Sequence, residues 1–436
     1  MRSKRIIALI ISVMLIVSMT ACDFGSGKGS VYWLNFKPEL DATLRSLADK
    51  YKEEKGVSVK IETPASGEYL QSLRDEMKSE DPPSLFVINN QDAADEWKES
   101  ALDLSGTGIQ DELNTSSYNF KTEENKLVAI PYCLECFGIA VNPDLLAKMG
   151  YKVDDIKNFD SLKKVVEAIH QNASWLGFDA FCSPDLDSGS SWRLTGHLAN
   201  LEYYYEEQDS GSWKESPASI TGAYLPNYKN LYDLCINNAV SAPETLAEGG
   251  HNPTEEFTSG KAAFFLTGSW DYATLSEKIP NVTMIPYYCG VKGEEKAGLN
   301  SGSENYWAVN AAVSEADQKA TLDFMKWLVT DETASKAMVD QIGNMPYKNA
   351  AKSENGFLAK QSEYISNGNY RMDWLMLHQP NPATYRSELV TALSAYNADR
   401  TDANWEKVKE AFVGNWAKLY ADENNKVVLA TEGKMK

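Results

Sequence analysis

The alternation of strand and helix patterns near the start of the chain constrains its fold most. Short apolar runs are separated by segments in which apolar residues recur at spacings of three and four. In chain order these are a strand at 31–34, a helix at 40–51, a strand at 57–61, a helix at 70–77 and a strand at 84–88. A β-α-β-α-β order predicts a mostly parallel sheet covered by helices, so the predicted fold class is α/β.

A basic and then apolar leader lies at residues 1–21. Its apolar run, 6–17, is too short to span a bilayer as a lasting helix. Basic residues, a short apolar run and the small Ala21 before a cleavage point are typical of a secretory signal peptide. The sequence M-T-A-C resembles the lipobox of bacterial lipoproteins, which implies a doubly acylated Cys22 and a flexible tether over 22–30. The alternative is an ordinary signal peptide followed by a chance cysteine.

The length and the charge of the chain limit what it can be. A chain of 436 residues exceeds what one hydrophobic core usually supports, so we expect two lobes. The formal net charge of −20 argues against a nucleic-acid partner, because phosphates need a basic surface. Since no second apolar run approaches the length of a membrane span, we expect only the lipid anchor to touch the membrane.

The cysteines after the leader are too few and too scattered to indicate a cofactor. They are Cys133, Cys136, Cys182, Cys235 and Cys289. One C-x-x-C spacing occurs, but there is no second one and the four histidines are dispersed, whereas a metal needs three or four converging ligands. We therefore expect no metal and no cofactor, and thiols that are buried as small apolar side chains. Their number is odd, and the sequence leaves their redox state open.

Helix boundaries are marked at several places further along the chain. Asn142 followed by Pro143 predicts a helix start, with asparagine as the cap and proline in the first turn. Ser161 is predicted to cap the next helix. Near the C-terminus, Phe412 and Trp416 recur at helical spacing and are predicted to be core residues and not a ligand site.

Three motifs follow one another in a characteristic order. Residues 129–131 read A-I-P before an apolar strand and N-P-D-L-L at 142–146, residues 257–270 read F-T-S-G-K-A-A-F-F-L-T-G-S-W, and 343–346 read G-N-M-P. Their order and spacing resemble the extracellular solute-binding proteins of carbohydrate ABC transporters, in the maltose- and oligosaccharide-binding-like family. The resemblance covers nearly all of residues 31–350.

The resemblance implies a two-lobed periplasmic-binding-protein-like fold, with a hinge of crossing strands and a ligand cleft between the lobes. Lobe one is expected at 31–138 plus 303–346, and lobe two at 139–302 plus 347–436. The implied protein performs no chemistry. It is a monomeric substrate-binding lipoprotein on the outer face of the cell membrane, which captures an extracellular sugar, with an oligosaccharide favoured, by hinge closure and delivers it to ABC permease subunits.

Three tryptophans are candidates for stacking on a sugar, because a sugar ring presents flat C–H faces and a rim of hydroxyls. Trp270 lies at the family position that commonly stacks on sugar. Trp192 and Arg193 follow a Ser/Gly-rich loop and would present a ring and a planar donor together. Trp374 is flanked by charged residues. The alternatives are packing for Trp270 and Trp374, and a surface ion pair for the loop at Trp192.

Several polar residues are further candidates for ligand contact. Asn90 follows the strand at 84–88, at the end where α/β sheets place ligands, although asparagine also suits a turn. Glu135 interrupts an apolar strand and would be costly to bury unpaired, so it either faces the cleft or forms an internal salt bridge. The remaining candidates lie in loops after early strands or open a hinge strand: Lys37, Glu39, Ser66, Glu304 and Asn305.

Two other functions are compatible with an exported lipoprotein. An extracellular glycosidase would need two carboxylates about 5–10 Å apart, and no catalytic signature is visible. A surface adhesin would need no closing cleft. The sequence does not specify the sugar, its linkage or its length.

Overall fold

The computed structural model describes residues 27–423 except 66, 115–118, 123, 188–190, 212 and 214–215. The leader, Cys22 and Ser66 lie outside the described residues. The strands are β1 (Val31–Leu34), β2 (Val59–Glu62), β3 (Leu85–Ile88), β4 (Phe120–Lys121), β5 (Leu127–Pro131), β6 (Glu135–Val141), β7 (Asp179–Phe181), β8 (Ala262–Gly268), β9 (Thr283–Ile285), β10 (Ala297–Gly302), β11 (Tyr306–Val309) and β12 (Tyr370–Asp373).

Helices connect and cover these strands. They are α1 (Asp41–Lys55), α2 (Tyr69–Glu76), α3 (Gln91–Trp97), α4 (Pro143–Lys148), α5 (Phe159–Gln171), α6 (Ala173–Leu176), α7 (Asn200–Ser210), α8 (Leu225–Asn237), α9 (Pro253–Thr258), α10 (Tyr272–Lys278), α11 (Glu315–Thr330), α12 (Glu332–Ile342), α13 (Gly356–Ser366), α14 (Pro382–Ala398) and α15 (Asp402–Lys409). Two π-helical segments, Arg193–Leu198 and Glu410–Gly414, interrupt the helical regions.

Sheet one has the strand order β2-β1-β3-β11-β5-β4. Strand β1 is parallel to both β2 and β3, so the predicted parallel arrangement is confirmed for these three strands, whereas the other three pairings of the sheet are antiparallel. Strand β11 lies between β3 and β5 and is antiparallel to both, with Trp307 opposite Val87 on one side and Ile130 on the other. The predicted α/β class is therefore confirmed.

Helix α1 shows how the sequence pattern produces packing on sheet one. Leu44, Leu47 and Tyr51 lie on one helical face and are buried in the core of this sheet. Gly56 ends the helix with a φ of 69°, and its N–H donates to the carbonyl of Lys52. Glycine adopts this left-handed conformation without a steric penalty.

Sheet two has the strand order β12-β10-β6-β8-β7, and β9 also pairs with β6. Strand β6 is antiparallel to β8, β9 and β10. Its residues alternate between two apolar layers: Phe137 and Ile139 belong to one, and Cys136 and Ala140 belong to the other. Sheet two is therefore covered on both faces, as expected for the core of a second lobe.

The chain crosses between the two lobes three times. It leaves sheet one after β5 and enters β6 at Glu135, it returns through residues 303–305 between β10 and β11, and it leaves lobe one again between Tyr347 and α13 on its way to β12. The boundary expected between 138 and 139 consequently falls inside β6. On the other side, Tyr347 is buried in the core of sheet one and forms a bridge with Leu113, one residue beyond the expected end of lobe one at 346.

The helix starts marked in the sequence have mixed outcomes. Asn142 caps α4 by accepting a hydrogen bond from the N–H of Asp144 at 3.1 Å, with Pro143 in the first turn, so this prediction is confirmed. The prediction that Ser161 caps α5 is wrong, because Asn158 is the cap and accepts from the Ser161 N–H at 3.0 Å. The Ser161 hydroxyl accepts in return from the Asn158 N–H at 3.1 Å, which forms a capping box.

The C-terminal helices belong to the second lobe. Tyr385 on α14 is buried together with Phe412 and Trp416, and the indole Nε1 of Trp416 donates to the carbonyl of Pro217 at 2.7 Å. The predicted core role of Phe412 and Trp416 is confirmed. These contacts fix the C-terminal segment against sheet two.

The five described cysteines are buried and free of disulfide bonds. Within the described ranges, no group of three or more His, Cys, Asp or Glu side chains could hold a metal ion. Of the helices that the structure describes, none combines the length and apolar character needed to cross a membrane.

Candidate functional site

A cavity of about 190 Å³ lies beside the second crossing, between the two lobes. Tyr306 contributes a side chain from sheet one, and Trp374 contributes one from the second lobe. The complete lining is Gly302, Ser303, Tyr306, Arg371, Asp373, Trp374 and Leu377. Typical ligand pockets are larger, roughly 300–1,000 Å³, so the lobes approach each other closely in this conformation.

Aromatic side chains of the second lobe form a contiguous cluster that reaches this cavity through Trp374. The ring of His197 lies 5.5 Å from Trp192, 5.5 Å from Trp270 and 4.8 Å from Trp374. It stacks on Phe137 with a centroid distance of 4.3 Å and an interplanar angle of 4°. We call these five residues the aromatic wall. The three tryptophans that the sequence singled out are therefore brought together around one histidine.

The local backbone explains how two of these rings are presented. Trp192 directly precedes the π-helical segment Arg193–Leu198, whose wider turn brings residues five apart to the same side and so places Trp192 beside His197. Trp270 follows β8, and its ring packs directly on the backbone of Gly268. A Cβ atom at Gly268 would lie 2.3 Å from the Trp270 ring, so only glycine permits this approach.

His197 is a neutral, buried member of the aromatic wall. Burial, together with the positive charges of Arg386 and Arg193, lowers the pKa of His197 well below its ordinary value. Its Nδ1 atom is buried without a hydrogen-bond partner among the described residues. His197 was not recognisable as a site residue from the sequence, because the π-helical spacing that joins it to Trp192 leaves no recognisable periodicity.

Glu135, at the start of β6, is buried in a hydrogen-bonded network. Its Oε1 atom lies 2.9 Å from Nζ of Lys37, and its Oε2 atom accepts from Nδ2 of Asn305 at 2.7 Å. The internal salt bridge that the sequence left open is therefore present. Burial opposes the charge of Lys37, but the carboxylates of Glu135 and Glu39 outweigh burial and raise the pKa of this lysine. The same Nζ atom lies 5.7 Å from the Trp270 ring, which places the ion pair next to the aromatic wall.

Arg193 contacts the aromatic wall from the other side. Its guanidinium lies 4.2 Å above the Trp192 ring, and its Nη2 atom is 3.7 Å from Oδ2 of Asp271. The Nε atom is buried and has no hydrogen-bond partner in the described part of the chain. Asp271 in turn accepts a hydrogen bond from the hydroxyl of Thr267. Arg193 therefore retains donor capacity beside the wall.

Glu304 lies on the second crossing, between two groups of the second lobe. Its carboxylate oxygens are 3.9 Å from Nε2 of His197 and 3.9 Å from Nη2 of Arg386. Both distances are too long for hydrogen bonds. Arg386 is held in place because its Nε donates to Gln379 at 2.6 Å. Burial raises the pKa of Glu304, and Arg386 opposes this effect.

The other polar candidates differ in position. Glu39 is half-exposed, and its Oε1 atom lies 3.2 Å from Nζ of Lys37. Asn90 caps α3, because its side chain accepts from the N–H of Ala93 at 2.8 Å. Its structural role is therefore that of a helix cap and not of the turn residue that the sequence left open, and it lies near the edge where the lobes meet. Ser66 lies outside the described residues.

Two α/β lobes joined by crossing strands, with an aromatic-lined cleft between them, define a two-lobed binding protein. The profile of the family described as "Bacterial extracellular solute-binding protein" matches residues 46–363, and this chain belongs to that family. The family expected from the sequence motifs is thus confirmed. The family and the similar proteins are binding proteins.

Comparisons with individual proteins agree with this assignment. The diacetylchitobiose binding protein DasA of Streptomyces coelicolor is 22% identical over 378 residues, which cover 81% of this chain and 84% of DasA. The structure of RafE in complex with raffinose has a TM-score of 0.70 at 17% identity and covers 90% of this chain and 99% of RafE, and the apo-form of RafE from Streptococcus pneumoniae has a TM-score of 0.65 at 16% identity with 91% and 99% coverage. A sugar transporter from Bacillus licheniformis in complex with stachyose has a TM-score of 0.65 at 18% identity, with 89% and 99% coverage. At these identities the solved structures show a shared fold.

Proposed function

We propose that this protein is the substrate-binding component of an ABC importer and that it captures an oligosaccharide in the cleft between its lobes. The observation that carries the proposal is the aromatic wall. Trp192, Trp270 and Trp374 offer flat apolar surface to the C–H faces of sugar rings, and their indoles do so at small entropic cost. Among the similar proteins are a diacetylchitobiose binding protein and structures in complex with raffinose and with stachyose, which supports an oligosaccharide ligand.

The polar groups around the wall supply hydrogen bonds to sugar hydroxyls. Arg193 carries planar N–H donors, and the carboxylates of Glu39 and Glu304 keep free acceptor positions. Lys37 lies in the loop after β1, Glu135 on the first crossing and Asn305 on the second. Their contacts hold these three segments together. These residues act as ligand contacts or as the support for them. Asn90 and Ser66 remain candidates at the edge of lobe one.

Hinge motion about the three crossings opens the cleft for the sugar. The cavity in the described conformation is too small for an oligosaccharide, and contacts bridge its edge, so ligand entry requires the lobes to separate. Within the described residues, we assign 31–134 plus 303–351 to lobe one and 135–302 plus 352–423 to lobe two. This division keeps β6 whole and leaves Tyr347 in the core to which it belongs.

The leader indicates where this binding takes place. Residues 1–21 act as the signal peptide, and lipidated Cys22 holds the monomeric protein on the outer face of the membrane, near its permease, through the tether 22–30. Replacement of Cys22 by serine should release the protein into the medium and reduce sugar uptake while leaving sugar affinity unchanged. Loss of affinity in the released protein would contradict this division of roles.

The proposed role includes no chemical step. The cleft carboxylates of Glu135, Glu39 and Asp271 each have a cation within 4 Å, as expected for fixed structural ion pairs. A glycosidase would instead need one carboxyl group free to donate a proton and another free to attack or to activate water. An adhesin would bind without closing.

A titration with sugar separates these functions. The chain expressed without residues 1–22 is titrated with raffinose, stachyose and diacetylchitobiose by calorimetry, and the mixtures are then separated by chromatography. Saturable binding with intact sugar supports the receptor. Released monosaccharide would show a glycosidase, and absence of binding across a broad oligosaccharide panel would contradict sugar capture.

A matched pair of substitutions tests the aromatic wall directly. Trp270→Ala should weaken binding of the responding sugar at least tenfold, because about 1.4 kcal/mol of lost stacking corresponds to a factor of ten. Trp175 is the control, since it lies on α6 with 78% of its surface exposed and Trp175→Ala removes the same side chain away from the cleft. Equal affinities for the two variants would exclude the wall as the binding surface. Melting temperatures establish that both variants are folded.

A further inference from the structure

The cations at the cavity and beside the aromatic wall share one property, which is a carboxylate within 4 Å. The pairs are Lys37 with Glu135 at 2.9 Å and with Glu39 at 3.2 Å, Arg371 with Asp373 at 2.6 Å, Arg193 with Asp271 at 3.7 Å and Arg386 with Glu304 at 3.9 Å. Among the described residues of the cleft, four cations thus face five carboxylates. The cleft carries no positive surplus.

The one remaining titratable ring in this region does not change the balance. His197 is buried in the aromatic wall, and the nearest oxygen of Glu304 is 3.9 Å away. This carboxylate is too far to form a hydrogen bond that would stabilise a protonated imidazole ring. The rest of the molecule adds to the effect, because its formal net charge is −20. An anion therefore approaches a negative molecule and meets a cleft whose cations are neutralised.

Ion-paired side chains affect the binding of neutral sugars and of acidic sugars in different ways. A guanidinium has five donors and a carboxylate has about four acceptor sites, so each pair still has positions for hydroxyl groups. A uronate, sulfate or phosphate group brings its own charge, and it must give up hydration without gaining a free cation. It also lies close to the carboxylates that already occupy the site, and like charges placed next to each other oppose binding.

We propose that the cleft selects uncharged saccharides and rejects their carboxylate, sulfate and phosphate derivatives. This selection rests on the proposed function, because it specifies the class of sugar that the receptor takes. The aromatic wall supplies affinity for the sugar ring, and the balanced ion pairs favour rings that carry no charged group.

The first experiment compares three forms of one ligand. They are the sugar that binds in the titration above, the same sugar oxidised at a primary hydroxyl to the carboxylate, and the methyl ester of that carboxylate. At low ionic strength the carboxylate should bind at least about tenfold more weakly than the ester, and added salt should narrow the difference. A carboxylate that binds as tightly as its ester overturns the inference.

The outcomes also separate this inference from the proposed function. If trigalacturonate or a heparin disaccharide binds and the neutral sugars do not, the protein is a sugar receptor and the charge selection is wrong. If no sugar of either kind binds, the proposed function fails first. If the ester is weakened as much as the carboxylate, shape and not charge is the cause, and the inference is overturned.

A second experiment changes the charge of the cleft. Asp271→Asn keeps the shape and the contact with Thr267 but removes the carboxylate nearest to Arg193, so the difference between carboxylate and ester should shrink several-fold. Asp340→Asn is the control, because Asp340 pairs with Lys336 on the exposed surface of α12. If Asp271→Asn does not fold, Glu39→Gln serves instead, since that side chain is 42% exposed. An unchanged difference in the folded variant contradicts the inference.

Discussion

Glu202, on α7, is a carboxyl group buried inside the second lobe. Neither of its oxygens has a hydrogen-bond partner among the described residues. The neighbouring Glu206 is satisfied, because it accepts hydrogen bonds from the N–H and the hydroxyl of Thr221. Burial, and then the carboxyl group of Glu206, raise the pKa of Glu202 to about 9. This side chain is therefore a neutral acid at physiological pH.

Replacing Glu202 by glutamine should stabilise the protein at neutral pH. The unfolded chain ionises this group near its ordinary pKa of 4.5, whereas the folded protein keeps it protonated up to about 9. The unfolded state thus loses its proton first, and stability falls as the pH rises from about 4.5 to about 9. Glutamine removes this cost, which reaches about 3 kcal/mol at pH 7. The measurement is chemical denaturation of both proteins at pH 4.5, 7 and 9.

The gain in unfolding free energy should be absent at pH 4.5 and should grow toward pH 9. Glu53→Gln is the control, since Glu53 is exposed on α1 and the same change there should leave stability within about 0.5 kcal/mol at every pH. A constant difference between Glu202→Gln and the parent across the pH range would show that Glu202 is ionised in the folded protein.

Single residues differ in how far the sequence identified them. Trp192, Trp270 and Trp374 were recognisable because large flat side chains beside polar neighbours in loops are unusual. Their assembly depends on His197, and no spacing in the sequence shows that a π-helical turn places this ring between them. For Glu135 the cost of burying an unpaired charge predicted a partner or a cleft, but only the fold supplies Lys37 from a loop far away in the chain.

Helix α3 is the element that begins at the edge of the cleft in lobe one. Its cap, Asn90, accepts from the Ala93 N–H through Oδ1. The same side chain is a candidate for sugar contact, and the two roles use different atoms. An asparagine cap can be replaced by aspartate without loss of the capping bond, whereas alanine cannot form it.

Substitutions at Asn90 should separate capping from binding. Asn90→Ala should lower the unfolding free energy by about 1 kcal/mol, and Asn90→Asp should leave it nearly unchanged. If Nδ2 contacts the sugar, Asn90→Asp should also lose several-fold affinity while its melting temperature stays that of the parent. The measurements are denaturation and calorimetric titration of both variants. Equal stability of Asn90→Ala and the parent would exclude the capping role.

Among the elements, the features that depend on local sequence were predicted better than the features that depend on tertiary arrangement. The order of β1, α1, β2, α2 and β3 followed from apolar spacing alone, and the asparagine-proline start of α4 followed from capping chemistry. The start of α5 was misplaced because its capping box is reciprocal, and the sequence does not distinguish Asn158 from Ser161 as the residue outside the helix. The π-helical segments Arg193–Leu198 and Glu410–Gly414 were not predicted from the sequence.

At the scale of the whole molecule, a hydrogen bond between Asp92 and Asn381 connects the two lobes at the cleft edge. The backbone N–H of Asn381, in lobe two, donates to Oδ2 of Asp92 on α3 at 2.8 Å. Burial raises the pKa of Asp92 from 3.8 to about 6, and the bond from Asn381 opposes this shift. Opening the lobes would return Asp92 to water, so its proton affinity is linked to closure.

Sugar affinity should increase as the pH falls from 7.5 to 5. In the closed form Asp92 is protonated below about pH 6, whereas in the open form it is protonated only below about pH 4. Protonation therefore favours closure within the window between about pH 6 and pH 4. Affinity should rise several-fold across it, and Asp92→Asn should flatten the profile. Calorimetric titration at pH 7.5, 6 and 5 measures the effect. Asp49→Asn, an exposed position on α1, should leave the profile unchanged. An identical profile for Asp92→Asn would contradict the link.

The division into two lobes was predicted from the resemblance of the motifs. The residues at which each lobe begins and ends depend on strand pairing and core contacts. The sequence could not show that β6 begins at Glu135, because the crossing residues before it are as apolar as the strands on either side. Nor could it show that Tyr347 returns to the first core, since that contact joins segments more than two hundred residues apart. We expect such boundaries to depend on long-range pairing in other chains of this topology.

The position of β11 in the middle of sheet one has a consequence for biosynthesis. The strand fills the gap between β3 and β5, so the first sheet stays incomplete until Val309 has been translated. At roughly 5–20 residues per second, this delay after β3 is about 10–45 s. During that interval sheet one lacks the strand that joins β3 to β5. The interleaved order of the strands therefore delays completion of the first lobe until most of the chain has been synthesised.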